Sequence, residues 1–417
     1  MLKQLAGCVR EYKRPTILTL IFIVGEAVIE TIIPFITANL VNRIKAGASI
    51  ESVMEVGLLL IIMAAISLVC GGLAGFTCAK ASTGFAKNLR SDLFHRIQTY
   101  SFENIDKFSS SSLVTRMTTD VTNVQMAFMM LIRIAIRSPL LLIFSTVMAF
   151  VMGGKLAFVF VVVIPILAFG LLAIGKKAMP AFRSVFKKYD RLNESIEENV
   201  RGMRVVKGFS REEYEKQKFN TAADNIRKDF TKAECIVALN TPLMNLCMYI
   251  NMVVVLLVGS KLAITSGGSA LDVGQISGML TYGMQILMSL MMLSMIYVMV
   301  TMSAESAKRI CEVLEEEPSL KEPENPVMEV KDGSIEFKNV NFKYSARAKK
   351  YALSDIDLSI RSGMTVGIIG GTGSSKSSLV QLIPRLYDVT EGAVLVGGVD
   401  VRSYDIPTLR SAVAMVL

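Results

Sequence analysis

The run GGTGSSKSS, from Gly370 to Ser378, carries the residue types that hold phosphate. It departs at one position from the pattern G-x-x-x-x-G-K-[ST]: Ser375 stands where that pattern has a glycine directly before the lysine. In a loop of this kind, backbone N–H groups and the start of a helix hold phosphate oxygens. Lys376 supplies a cation for the outer phosphates, and the Ser377 hydroxyl supplies a ligand for Mg²⁺. Gly370 and Gly373 permit tight turning and close backbone approach. Gly371, Thr372, Ser374 and Ser378 complete the cradle. Ser375 adds bulk beside the phosphate, and at positive φ an L-residue costs on the order of 1–2 kcal/mol. Carried into binding, that cost weakens nucleotide affinity roughly tenfold.

The flanks favour this reading over an ordinary serine-capped helix start. MTVGIIG before the loop reads as a short, β-branched strand, and SSLVQLIPRLY after it has apolar residues at helical spacing. Strand, glycine-rich loop and helix is the setting a phosphate loop needs. Upstream, GSIEFKNVNFKYS and LSDIDLSI alternate as antiparallel strands with one buried face. Before them, the acidic and proline-bearing CEVLEEEPSLKEPENP reads as a linker. The chain therefore divides into a membrane domain over residues 1–310, a linker over 311–330 and the front of a soluble α/β domain over 331–417.

The membrane assignment rests on composition and spacing. The 417 residues are 52% hydrophobic, and the charged 19% are concentrated between long apolar runs. A bilayer core takes about 20 apolar residues per helix. Six stretches qualify: 16–37, 56–78, 130–151, 156–175, 243–264 and 276–300. The first is too long for a cleaved signal peptide, so it reads as a retained span. The gaps 79–129 and 176–242 are polar and rich in helix formers, as expected of helices that continue into water and return. Lys and Arg number four before the first span, six in 79–127 and fifteen in 176–242. That bias predicts cytoplasmic termini and cytoplasmic gaps in a plasma-membrane, multi-pass protein. It also accounts for the net charge of +9 better than nucleic-acid binding does. The six cysteines form no C-x-x-C pair and read as packing residues, and His95 has no metal-ligand partners nearby in sequence.

Within the spans, a few residues could meet a solute. Met284, Met288, Met291, Met295, Met299 and Met302 recur every three or four residues and share one helix face. Such a face suits promiscuous apolar binding, and it suits helix packing equally well. Glu26 and Glu30 share a face of the first span, and Arg133 and Arg137 share one of the third. Charges within a membrane are costly, so interhelical pairing is one expectation, and contact of Glu26 or Glu30 with cationic substrates is another.

The whole chain resembles one half of an ABC exporter. TVGIIGGTGSSKSSLVQLIPRLYDVTEGAVLVGGVDV is similar to the Walker A region of that family. FENIDKFSSSSLVTRMTTDVTNVQ and RLNESIEENVRGMRVVKGFSREEYE are similar to the two intracellular loops of bacterial multidrug exporters of the heterodimeric kind. The resemblance implies an α-helical polytopic membrane domain of six transmembrane helices, followed by an incomplete α/β P-loop nucleotide-binding domain. It implies ATP and Mg²⁺ as cofactors, with Tyr344 stacking on adenine, although Tyr344 also reads as an ordinary strand tyrosine. Residues 102–108 and 209–215 match the family's coupling helices. The partners implied are a second half-transporter, membrane lipid and an amphipathic, drug-like or lipid substrate. A peptide exporter half and a non-catalytic membrane subunit are the alternatives. The glutamine loop, the LSGGQ signature, the Walker B acid, the catalytic glutamate and the switch histidine of the family have no counterpart up to Leu417. By itself, this stretch of chain is expected not to hydrolyse ATP.

Overall fold

A computed structural model describes residues 2–267, 271–345 and 348–416. Helices dominate the first three quarters of the chain. They are α1 (Leu2–Gly7), α2 (Lys13–Lys45), α3 (Ile50–Gln98), α4 (Phe102–Phe108), α5 (Ser110–Thr115), α6 (Val121–Gly153), α7 (Phe158–Arg201), α8 (Met203–Gly208), α9 (Glu212–Ala238), α10 (Asn240–Thr265) and α11 (Val273–Glu315). Five continuous helical runs among the described residues are long and apolar enough to cross a bilayer. One of them, Ser110–Phe182, is 73 residues long. As a single rod it would measure about 110 Å, against a hydrocarbon core of about 30 Å. It is instead folded back at Gly154–Ala157, where Gly154 takes a φ of 51°. Phe150 and Phe158 meet edge to face across that turn at 5.4 Å. The five runs thus carry the six apolar stretches expected from the sequence.

Two compact units result. One contains Ala6–Ala86 and Asn123–Glu305. Its core is built from Ala149, Met152, Phe160, Val255, Met279, Tyr282 and Ile286. Pro34 lies inside α2 and cannot donate a backbone hydrogen bond to the carbonyl of Glu30. Gln285 Nε2 donates to that carbonyl at 3.3 Å, and Tyr282 Oη donates to the next one, Thr31, at 2.7 Å. Side chains of α11 thus satisfy backbone groups at the α2 proline, where no water is at hand to do so.

The other unit gathers Lys87–Thr122 with the segment from Ser306 onward. Its sheet has four antiparallel strands in the order β2-β1-β3-β4: β1 (Ile335–Phe342), β2 (Leu353–Ile360), β3 (Glu391–Val396) and β4 (Val399–Asp400). Phe337 stands opposite Leu358 on one side and Val394 on the other. Phe337, Val340 and Phe342 pack with Val394, Val396 and Tyr404, and with Leu382 of α12 (Lys376–Leu382) and Leu409 of α13 (Ile406–Ala412). One expectation fails here. The run Met364–Gly370 is not a strand, and it lies exposed, with Ile369 at 98%. Its β-branched composition favours extension, but a strand needs a neighbour for its N–H and C=O groups, and no described residue provides one.

Candidate functional site

The loop is positioned by α12, which begins at Lys376. Ser375 precedes it with φ 61° and ψ 25°, in the left-handed region. Gly373 also has positive φ, at 86°. The backbone therefore makes at Ser375 the turn that glycine makes without steric cost, and the side chain is accommodated at a strain. A Cβ on Gly370 would come within 2.6 Å of Ser374 Oγ, whereas one on Gly371 or Gly373 would meet nothing within 4 Å. The loop thus turns tightly on itself and leaves its outer side open. Lys376 Nζ donates to the carbonyls of Gly370 and Gly371, both at 2.8 Å, and to Ser374 Oγ at 3.3 Å. Its partners are all neutral, and among the described residues no carboxylate pairs with it. Thr372 and Ser377 are exposed.

Open space, an uncompensated ammonium and a free-standing hydroxyl at a helix start together fit a nucleotide phosphate chain with its Mg²⁺. Lys376 would hold phosphate and Ser377 the metal. Ser378 sits elsewhere. It is buried, and its Oγ shares a 2.6 Å hydrogen bond with Tyr344 Oη. Tyr344 is thereby tied to α12, and its ring is met edge-on by Phe342 at 4.8 Å and by Tyr387 at 5.2 Å.

Tyr387 and Asp106 are residues that spacing did not reveal. The Tyr387 phenol donates to Asp106 Oδ2 of α4 at 2.7 Å, and its ring lies 6.0 Å from that of Phe102. Burial pushes this phenol above the usual tyrosine range, and the Asp106 carboxylate pushes it further. Neither residue stands in a periodic pattern, so only the fold brings them together. Phe209, in the other segment matched to a coupling helix, is 76% exposed.

In the membrane region, Arg137 Nη2 donates to Glu30 Oε1 at 2.5 Å and lies 3.4 Å from Glu26 Oε1. Both carboxylates of α2 thus converge on one guanidinium of α6. A Cβ on Gly71 of α3 would sit 3.1 Å from Glu26 Oε1, so α3 approaches closely because that residue has no side chain. On α11, Tyr282, Ile286, Leu287 and Leu290 are buried. Met284, Met288, Met295 and Met302 are exposed, while Met291 and Met299 are half-buried.

The family described as ABC transporter transmembrane region matches residues 16–290, and the one described as ABC transporter matches residues 353–417. The chain belongs to the ABC transporter family, with the domain order of an exporter half-transporter: membrane region first, nucleotide-binding domain second. It is 32% identical over 399 residues to the uncharacterized ABC transporter ATP-binding protein YfiB of Bacillus subtilis, covering 96% of this chain and 69% of that protein. An uncharacterized ABC transporter ATP-binding protein of Mycobacterium tuberculosis is 31% identical over 98% of this chain and 70% of its own length. A Mycobacterium bovis protein named as a fatty acid ABC transporter ATP-binding/permease protein is 29% identical over 79% of this chain and 51% of its own length. Membership of the family implies ATP binding, usually with Mg²⁺.

Proposed function

We propose that this chain is one half of a dimeric exporter that moves amphipathic compounds, drug-like or lipid, outward across the plasma membrane, with both termini in the cytoplasm. The observation that carries the reading is the uncovered methionine face of α11, backed by a buried face on the same helix. Within this chain Met284, Met288, Met295 and Met302 are exposed, and Met291 and Met299 are half-buried. A flexible, polarizable surface of this kind accepts apolar solutes of varied shape. A second half-transporter would complete the path, with Glu26 and Glu30 bordering it.

ATP bound with Mg²⁺ supplies the free energy. This chain's residues would hold it: the loop Gly370–Ser377 would cradle phosphate, Lys376 would add charge, Ser377 would meet the metal and Tyr344 would offer its ring to adenine. Ser375 favours a second reading, a subunit that binds nucleotide weakly and leaves catalysis to its partner, because its left-handed backbone is strained.

Replacing Met284, Met288, Met291, Met295 and Met299 together by leucine tests the reading. The rank order of bound hydrophobic dyes is expected to change by roughly threefold or more while expression stays near wild type, because none of the five side chains is fully buried. Loss of expression with an unchanged rank order would assign the face to subunit packing and remove this support.

A further inference from the structure

Tyr344 is held at its hydroxyl and at its ring. The hydroxyl shares the 2.6 Å hydrogen bond with Ser378 Oγ, in the first turn of α12, and reaches Gln381 Oε1 at 3.4 Å. The ring stands close to perpendicular to Phe342 and to Tyr387, at interplanar angles of 72° and 89°. It nevertheless stays 42% exposed, which leaves area for a base to stack on.

The two rings that meet Tyr344 are secured differently. Phe342 ends β1 and is fixed by the sheet core. Tyr387 lies outside any helix or strand, and its buried ring carries a phenol that needs a partner. That partner comes from 281 residues away: Asp106 Oδ2 accepts the phenol at 2.7 Å. Phe102, one turn earlier on α4, lies 6.0 Å from the same ring. Asp106 is not engaged by the lysine beside it, because Lys107 pairs with Glu316 at 2.6 Å. Among the described residues Asp106 forms no ion pair. A continuous set of contacts therefore runs from α4 through Tyr387 and Tyr344 to Ser378. The phosphate-facing ammonium stands apart from it, since Lys376 Nζ donates to Gly370, Gly371 and Ser374.

We propose that Asp106 is a positioning residue for the nucleobase: by fixing the Tyr387 phenol it sets the ring against which Tyr344 rests, and so the plane that Tyr344 presents to adenine. Without the carboxylate the phenol becomes a buried donor with an unmade bond, which is costly enough to make it seek another acceptor. Ring and hydroxyl are one rigid body, so the ring turns with it. The perpendicular contact with Tyr344 is then lost, and part of the affinity for the base goes with it. Groups that hold phosphate are left as they were. The inference rests on the reading of Tyr344 as the residue that stacks on adenine, and the test separates failure of one from failure of the other.

The experiment compares two ligands, MgATP and magnesium tripolyphosphate, which has the phosphates and no base. Both are titrated into the full chain by calorimetry at neutral pH. Tyr344→Ala is expected to lower the ratio of ATP to tripolyphosphate affinity about tenfold, the worth of one base stacked on an aromatic ring. Asp106→Ala should lower the same ratio about threefold, the worth of one aromatic pair, with tripolyphosphate affinity unchanged. Unchanged tripolyphosphate binding also reports that the variant is folded. Asp106→Asn keeps an acceptor oxygen for the phenol and should keep most of the wild-type ratio. A wild-type ratio in Asp106→Ala beside a lowered one in Tyr344→Ala overturns the proposal and leaves the reading of Tyr344 standing. A wild-type ratio in Tyr344→Ala removes both. An equal fall for the two ligands in Asp106→Ala also overturns the proposal, because Asp106 would then serve the fold or the phosphate loop and not the base.

Discussion

At the scale of single residues, Ser375 is the position where sequence and backbone disagree most clearly. The pattern calls for glycine, and the serine that replaces it is held at φ 61°. The cost of that conformation, on the order of 1–2 kcal/mol, is removed by Ser375→Gly. Nucleotide affinity is expected to rise about tenfold in the variant. Titration of the purified chain with a fluorescent ATP analogue checks this, and equal affinities would show that the free and bound states bear the strain alike. The placing of Lys376 and Ser377 at the start of α12 was legible because motif spacing encodes it locally. The tie between Ser378 and Tyr344, 34 residues apart, was not, since it depends on how β1 lies beside α12. MTVGIIG was misread for a related reason. Propensity says what a segment prefers, and pairing partners decide whether it becomes a strand.

Among elements, the packing of α2 against its neighbours is the most exposed to test. The Glu30–Arg137 pair joins α2 to α6, and of the two expectations raised by the sequence its geometry is that of pairing. Charge reversal at either position places like charges together. Glu30→Arg and Arg137→Glu are each expected to lower thermal stability, and the double variant to recover most of the loss, as double-mutant cycles read coupling. No recovery would mean that the pair is incidental. Gly274 makes a sharper case. Its N–H donates to Asn42 Oδ1 at 2.7 Å, and a Cβ there would lie 2.0 Å from the backbone oxygen of Ala38. A backbone atom inside a helix cannot step aside as a side-chain tip can. Gly274→Ala is therefore expected to cost about 1–3 kcal/mol by overpacking, despite alanine's better helix propensity. A melting temperature at or above wild type would contradict this. Hydropathy revealed that these helices exist. It carries no information about which glycine admits a neighbour's backbone.

At the scale of the whole chain, the change from apolar to mixed composition near residue 305 announced two kinds of structure, and the fold has two compact units. It did not announce that Lys87–Thr122 belongs with the segment from Ser306 onward. That grouping is built from contacts more than 180 residues apart in sequence. Asn104 Nδ2 donates to Glu316 Oε1 and to the carbonyl of Glu317, and Asp120, fully buried, is held by Arg309 and Ser306. Tyr100 adds another such contact, its phenol donating to the carbonyl of Val313 at 2.6 Å. Burial, with the Glu316 carboxylate nearby, pushes this phenol up to about 12. An unfolded tyrosine titrates near 10. Between about pH 10 and 12 the folded state therefore binds more protons than the unfolded one, and the stability of this unit falls as pH rises. Below about pH 10 the contribution is present in full and constant. Tyr100→Phe lacks the titrating group and the hydrogen bond, so it should be less stable at neutral pH but lose less between about pH 9.5 and 11. Denaturant unfolding of both proteins across that interval is the measurement. Parallel losses would show that the phenol ionises as freely in the folded chain as outside it, and that the Val313 contact does not hold the two segments together.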